Sequence, residues 1–529
     1  MTEKKGQNFL HGAAIYAAGV VVIKILGFIY KFVIMRVMSD AGYGYFMVAY
    51  NVFNVFLTIS TAGIPVALSR MISEADALGL ERQKLRTFDV ATLTLLVLGG
   101  LGTLLMMLFP GKIAAFMGSA NATPGIFMIA PSLVLVCLIA ALRGYCQGHA
   151  DMVPTTVSQI VETAVKVVIG LSLTLLFIHW GKSESLTAAA AVSGTTISSL
   201  ATLIYMFTAV KRRFSLRPRK DTTEPVDSRR KIFWNFLKIA VPITISGGVL
   251  SLVNLLDTKL VLNCLSNIGY SATEAETLYG VYAKTMNLYN LPYYFVIPLG
   301  ASIMPAIAGA RTRGERGEAA RLAEDSLRIM TLVCLPMAVG LGVLSAPCVE
   351  LVSNCYAAEA PVLMSMMAVA SYVMCFAVML NSILPANGNE RLPLYSILAG
   401  GAVKIAVNWV LVSNPSVNIY GAPVGTICCY LVIAGVNLVF VSRNMERPMN
   451  LGRILGRSGL SGLVMGVVVW LLWRLTTGIF GGTLIPFALS VIAGVAVYAV
   501  MIILLRAVTL EDMKLIPKGE KIARLLHIR

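Results

Sequence analysis

Fourteen apolar runs dominate the chain, near 11–36, 44–69, 88–109, 124–142, 154–178, 187–210, 236–263, 279–307, 327–349, 360–386, 393–413, 420–441, 458–477 and 483–505. A bilayer core is crossed by about 20 apolar residues in one helix, and each run is near or beyond that length. The connections between them are short and leave no room for a soluble domain. The first run carries Lys24 and Lys31, is too long for a signal-peptide core, and is expected to be retained. Composition agrees: 57% of residues are hydrophobic and 13% charged, and the mean hydropathy is +0.78, outside the range of soluble domains. The expected fold class is an all-α integral membrane protein of fourteen transmembrane helices.

A formal charge of +17 would suit a nucleic-acid partner if it were gathered on one surface. It is instead dealt to alternate loops. Lys4 and Lys5, the segment from Arg70 to Arg86, Arg143, the stretch 211–231, the segment from Arg311 to Arg321, Arg391, the segment from Arg443 to Arg457 and the tail from Arg506 fall on one side. The other side holds little beyond Lys112 and Lys182, and its loop near 264–278 has only Glu274 and Glu276. This is the positive-inside asymmetry. It places both termini in the cytoplasm of a cell-membrane protein, suits anionic membrane lipid as a partner, and argues against nucleic acid.

The runs repeat. The hairpin RGYCQGHADMVPTTVSQIVETAVK at 143–166 returns about 240 residues later: Gly148, Pro154 and the Ala-Val-Lys ending at Lys166 are echoed by Gly388, Pro393 and the Ala-Val-Lys ending at Lys404. Tyr43-Gly44 followed by Asn51 and Asn54 is echoed by Tyr279-Gly280 followed by Asn287 and Asn290; both runs carry a later proline, Pro65 and Pro305. Six spans separate the copies, so orientation is preserved and the repeat is parallel, with a pseudo-two-fold axis along the membrane normal. Transporters built this way hold substrate between two bundles and rock them alternately open. The domain expectation is a six-helix bundle over 1–210, a basic linker over 211–232, a second six-helix bundle over 233–442, two extra helices over 443–506, and an amphipathic tail over 507–529 lying on the inner leaflet. Pro336, Pro385, Pro393 and Pro423 invite kinks.

Charges inside the spans are the candidate functional residues, because one at mid-bilayer costs about 2.5–3.5 kcal/mol on insertion scales and normally faces a cavity or a partner. Lys24 and Lys31, two turns apart, share a face of the first span. Glu162 and Lys166 lie one turn apart in the fifth, and their spacing predicts an ion pair with Lys166 as its structural member. Asp257 lies in the seventh span, Lys284 in the eighth, and Lys404 repeats Lys166. The bland alternative for Lys31 and Arg36 is snorkelling to the interface, and for Asp257 with Lys259 an outer-end pair among headgroups. Other chemistries find no footing. The nine cysteines form no ligand spacing, and His11, His149, His179 and His527 are far apart. Walker loops, nucleophile elbows and Asp-rich pairs are absent from the sequence. A transporter without metal or cofactor is expected rather than an enzyme, driven by the membrane potential or by a coupling ion such as Na+ or H+.

AGIPVALSR at 62–70, RGYCQG at 143–148 and PTTVSQIVE at 154–162, with the six-plus-six-plus-two layout, resemble the polysaccharide transporters of the multidrug/oligosaccharidyl-lipid/polysaccharide superfamily. The resemblance is to the stage V sporulation protein B-like branch. There is also similarity to lipid II flippases, through KILGF at 24–28, YAK at 282–284 and LRIMTLVCLPMAVGLGVLSAP at 327–347. The resemblance implies a central cavity whose basic side chains receive the diphosphate of a lipid-linked sugar. Lys24 and Lys284 fall on two of the flippases' arginines. A third arginine position falls at Tyr30, with Lys31 next to it; a second-span pair falls near Leu57 and Thr58 and is absent; an eighth-span aspartate is replaced by Ala283. Lysine for arginine keeps the charge and gives up the bidentate fork.

The expectation is a flippase for a polyprenyl-diphosphate-linked oligosaccharide, a cell-wall precursor of the lipid II type, working by alternating access beside cell-wall synthesis enzymes. Its substrate-binding candidates are Lys24, Lys31, Lys284, Glu162, Lys166, Asp257, Lys404, Asn51, Asn54, Asn287 and Asn290. The alternatives are a multidrug or cation exporter of the same fold, favoured by an acidic cavity, and a non-transporting scaffold for wall or spore-coat assembly.

Overall fold

The computed structural model describes residues 2–214, 226–386, 391–443 and 450–507; of 2–18, 21 and 246 it describes the backbone alone. The middle of the linker, Gly388 and the amphipathic tail lie outside the described residues. Helices account for the elements found there, with no strand among the described residues. They are α1 (Thr2–Val37), α2 (Asp40–Thr61), α3 (Ile64–Ala77), α4 (Glu81–Leu108), α5 (Pro110–Phe116), α6 (Thr123–Gly148), α7 (Val153–His179), α8 (Glu184–Arg213) and α9 (Arg229–Asn267). Then follow α10 (Ala272–Tyr289), α11 (Tyr293–Thr312), α12 (Arg316–Val343), α13 (Ser345–Ser353), α14 (Ala360–Ala386), α15 (Leu392–Val412), α16 (Gly421–Arg443), α17 (Leu451–Phe480) and α18 (Leu484–Leu504). Thirteen stretches among the described residues are long and apolar enough to cross a membrane, and α1, 36 residues long, covers the first predicted run. The chain is a multi-pass, all-helical membrane protein.

Three predicted spans prove to be broken helices, the ninth among them, at Leu344 between α12 and α13. The second is α2 and α3, interrupted at 62–63; the eighth is α10 and α11, interrupted at 290–292. Proline sets the restarts of these last two, Pro65 in the first turn of α3 and Pro292 at the cap of α11, since its ring cannot follow a helical carbonyl four residues back. Elsewhere Pro131, Pro242, Pro298, Pro305, Pro336 and Pro385 are carried inside helices. The start of α10 is fixed by a reciprocal cap. Glu274 Oε2 accepts from the Ser271 amide at 2.8 Å and its hydroxyl at 2.7 Å, while Ser271 Oγ accepts from the Glu274 amide at 3.3 Å. Those bonds hold the exposed Glu274 carboxyl below its ordinary range.

The chain divides into two compact units, Met1–Gly280 and Val281–Arg529. In the first, α9 packs against α2, α3 and α4. Lipid tails are as apolar as leucine, so helices in a bilayer associate through close backbone approach and polar contacts, and the α2–α9 seam uses both. Asn51 Nδ2 donates to Thr258 Oγ1 at 3.0 Å, the Thr58 and Ser251 hydroxyls share a bond of 3.0 Å, and the Gly63 amide donates to Thr244 Oγ1 at 3.1 Å. Thr258, Ser251 and Thr244 are seven residues apart, two turns each, so one stripe of α9 supplies every rung. At Gly63 a Cβ would strike the Ala240 carbonyl.

The repeated Tyr-Gly pairs meet each other in this unit. A Cβ on Gly44 would lie 2.6 Å from the Glu276 carbonyl and 3.3 Å from the Gly280 amide, and one on Gly280 would collide with the Asp40 carbonyl. Tyr279 adds its hydroxyl to the polar seam, 2.9 Å from Thr258 Oγ1 and 3.2 Å from Asn51 Nδ2. Glu276, read from sequence as an acid of an exposed loop, is instead buried in the first turns of α10, where Ser119 Oγ donates to it at 2.6 Å and Asn121 Nδ2 at 2.8 Å.

The second unit packs α11, α12, α14 and α16 around Leu327, Met330, Cys375, Leu380 and Ile433. Helices α17 and α18 join it through Leu344, Met465, Val469 and Tyr498. Tyr498 donates its hydroxyl to the Leu332 carbonyl of α12 at 2.9 Å.

Candidate functional site

Helices α1 and α7 run side by side in the first unit. Gly19 meets Thr156 and Ile160, and Gly170 admits the Tyr30 ring. At about 1.5 Å of rise per residue, Lys24 falls level with the turn of α7 that holds Glu162, and Lys31 about one turn beyond Lys166. Lys24 and Lys31 are both exposed on α1.

The expected Glu162–Lys166 ion pair does not form. Glu162 Oε2 is held by Arg143 Nη2 at 2.7 Å, a bridge from α6 to α7 whose side chains are 15% and 26% exposed. Arg143 Nε donates to Ser158 Oγ at 2.8 Å, and the buried Ser158 hydroxyl donates to the Thr155 carbonyl at 2.7 Å. Lys166 Nζ sits 5.2 Å from the centre of the Tyr30 ring and 4.9 Å from that of Tyr50. The reason lies in geometry: a planar guanidinium arriving from the facing helix makes a stronger bond to carboxylate than an ammonium on the same helix. A lysine left over two electron-rich faces is held by cation–π attraction. Tyr30 is fixed in turn by donating to the Ala191 carbonyl at 3.1 Å, and Lys31 lies within the electrostatic reach of the Tyr50 hydroxyl.

Sequence reasoning had not counted Arg143, Tyr30 and Tyr50 among the site residues. Arg143 was findable, because folding the hairpin about its turn at 149–152 sets residue 143 opposite Ser158. Tyr30 had been marked only as the place of a third flippase arginine, and Tyr50 carried no signal, since aromatic residues in a span are usually packing.

The remaining candidates have other surroundings. Asn51 is a rung of the α2–α9 seam, and Asn54 is half-buried one turn along. Asp257 is buried beside Thr258 on α9, and Lys259 Nζ lies 3.3 Å from the centre of the Phe116 ring. In the second unit Lys284 is buried and donates to the Ser353 carbonyl at 3.2 Å. Lys404 is buried on α15 within the field of Tyr430, so both Ala-Val-Lys lysines keep tyrosine company. Asn287 and Asn290 bond back to their own helix, Nδ2 to the carbonyls of Ala283 at 3.0 Å and Met286 at 2.6 Å. No group of three His, Cys, Asp or Glu suited to a metal occurs among the described residues. An open hollow of about 430 Å³, lined by Val66, Ser69, Arg70, Ser73, Glu74 and Gln147, lies along α3 and the end of α6 and holds both signs of charge.

The first unit thus brings Lys24, Lys31, Lys166 and Arg143 onto adjoining helices with Glu162 the acid bound among them. Such a set attracts anions.

Residues 9–310 match the family model described as polysaccharide biosynthesis protein. The chain is 26% identical over 518 residues to stage V sporulation protein B of Bacillus subtilis (strain 168), covering 97% of this chain and 98% of that one. To the lipid II flippase MurJ of the same organism it is 23% identical over 490 residues, 88% and 89% of the two chains. Among solved structures it superposes on a lipid II flippase MurJ in an inward closed conformation with TM-score 0.71 at 15% identity, covering 92% and 98%. An inward-facing multidrug resistance MATE transporter of the MOP superfamily gives 0.65 at 13% identity, covering 79% and 93%. The chain belongs to the polysaccharide biosynthesis family and has the helical membrane fold shared by MurJ and the MATE transporters of the MOP superfamily.

Proposed function

We propose that this protein moves a polyprenyl-diphosphate-linked oligosaccharide, a cell-wall precursor of the lipid II type, across the cytoplasmic membrane by alternating access. The observation that carries the reading is the exposed pair Lys24 and Lys31 on a spanning helix, beside Lys166 and Arg143, with Glu162 as the acid bound among them. A diphosphate with its sugars cannot enter hydrocarbon, whereas its polyprenyl chain is at home there. Cations at membrane depth offset the phosphate charge without hydrolysing anything. Lys24 and Lys284 are the proposed diphosphate ligands, and Lys284 would exchange its bond to the Ser353 carbonyl for phosphate. The relative named a lipid II flippase supports the class of cargo. Both termini lie in the cytoplasm in this reading. The driving force is the membrane potential, about 2.3 kcal/mol per charge per 100 mV, or a coupled Na+ or H+.

The test is reconstitution of the full chain into liposomes with labelled lipid-linked sugars of several headgroups, scoring transbilayer movement. Lys24→Gln and Lys284→Gln should each lower transport about tenfold or more, the worth of one charge-assisted contact, at normal abundance. Lys24→Arg should keep much of it. Full transport by the double Gln protein would sink the assignment, and movement of an organic cation in place of the lipid would turn the reading to an exporter.

A further inference from the structure

Arg143 has five N–H donors, and the protein fills two of them: Nε on Ser158 and one Nη2 hydrogen on Glu162. Among the described residues no acceptor meets the Nη1 amino group. The side chain is 15% exposed, so this open edge can be reached by a ligand from outside the protein. Ser158 and Glu162 grip two positions of the guanidinium plane and fix its orientation, so the open edge is held in place. The bridge between α6 and α7 uses Nε and one Nη2 hydrogen and leaves the rest of the fork over.

We propose that this edge is a phosphate-binding subsite: Arg143 receives phosphate oxygens of the lipid-linked substrate, with Glu162 as the anion that shares the guanidinium and keeps the hold weak enough for release. The proposal rests on the lipid-diphosphate reading given above. The geometry explains why the acid is there. A guanidinium with no carboxylate would bind a diphosphate tightly and part from it slowly; a carboxylate 2.7 Å from the same group raises the cost of the second anion by repulsion. The subsite is also placed for hand-off. Glu162 is level with Lys24 across the α1–α7 contact, and Lys166 stands one turn further along α7, so an anion leaving Arg143 meets further cations. The ligand class is a lipid diphosphate, esterified by the lipid at one end and by the sugar at the other, whose non-bridging oxygens match the fork.

The test is isothermal titration of the purified full chain in lipid nanodiscs with farnesyl diphosphate, against farnesol as the uncharged control. Arg143→Gln should weaken diphosphate binding about tenfold or more. Arg143→Lys, which keeps the charge and a bond to Glu162, should weaken it several-fold at normal yield and decides the matter if the Gln variant folds poorly. Glu162→Gln should tighten binding several-fold yet slow transport in liposomes, a split that a merely structural bridge would not produce. Unchanged affinity in Arg143→Lys, or no tightening in Glu162→Gln, overturns the subsite. Weakening by Lys24→Gln but not by either Arg143 variant overturns it while leaving the lipid-diphosphate reading standing. Weakening by the Arg143 variants but not by Lys24→Gln upholds the subsite and removes Lys24 from the site. Equal binding of farnesyl diphosphate and farnesol to the wild-type chain overturns both.

Discussion

Glu162 can serve one partner fully, and which cation it serves decides how the variants couple. The sequence spacing nominated Lys166; the fold awards the carboxylate to Arg143 and leaves Lys166 on Tyr30 and Tyr50. Removing one member of a partly buried pair strands the other, whereas removing both costs less. Arg143→Ala and Glu162→Ala should therefore each lower the apparent Tm of the detergent-solubilised protein, and the double variant should recover part of the loss, a coupling on the order of 1 kcal/mol. The Glu162→Ala and Lys166→Ala pair should be closer to additive. Thermal scans of the six proteins, wild type included, check this; stronger coupling at 162–166 than at 143–162 would mean that the pairing in the membrane is the one sequence spacing suggests. The same misreading shows what a linear sequence conceals. Contacts within a helix can be counted from spacing, but a partner arriving from the next helix competes on geometry that only the folded hairpin supplies.

At the scale of elements, the repeated Tyr-Gly pairs pass from a pattern to a packing rule. Gly44 and Gly280 are the places where α2 and α10 come backbone to backbone, and an added methyl at either would press on a carbonyl that has no rotamer with which to yield. Overpacking of this kind costs about 1–3 kcal/mol, so Gly280→Ala should markedly reduce folded protein. Gly100 in α4 has open space where its Cβ would stand, and Gly100→Ala should be neutral or gain about 0.5–1 kcal/mol from helix propensity. Size-exclusion yield and apparent Tm of the two variants read the contrast; a tolerated Gly280→Ala would refute the close approach. The run lengths and the repeat made the helices, the hairpin and this glycine pair legible before any coordinates. The breaks at 62–63 and 290–292 were not, because Pro65 and Pro292 each sit in an apolar stretch that hydropathy alone reads as continuous. Nor was the burial of Glu276, whose acid looked like part of a solvated loop until Ser119 and Asn121 were found to fill it.

For the whole molecule, the decisive quantity is how charge is shared between the two sets of helix ends. Counting alternate crossings along the chain, the turns α3–α4, α6–α7 and α11–α12 are expected on one side and α7–α8, α9–α10 and α15–α16 on the other. The first set carries Arg70, Arg82, Arg86, Arg143, Arg311, Arg313 and Arg316 at or near its turns, and the second little beyond Lys182. Retaining lysine and arginine on the cytoplasmic side orients a multi-pass chain, so the first set is expected to face the cytoplasm. In a cysteine-free background, Thr273→Cys and Ser416→Cys, both at exposed positions, should react in intact cells with a thiol reagent that does not cross the membrane. Arg230→Cys and Arg316→Cys, also exposed, should react only once the cells are permeabilised. Labelling of Arg230→Cys from outside would invert the whole chain, because with the helices alternating no single turn can be reassigned alone. It would then place the Arg143 fork at the outer end of the first unit, where it could receive a lipid phosphate only after crossing, and the proposed direction of transport would fall with it.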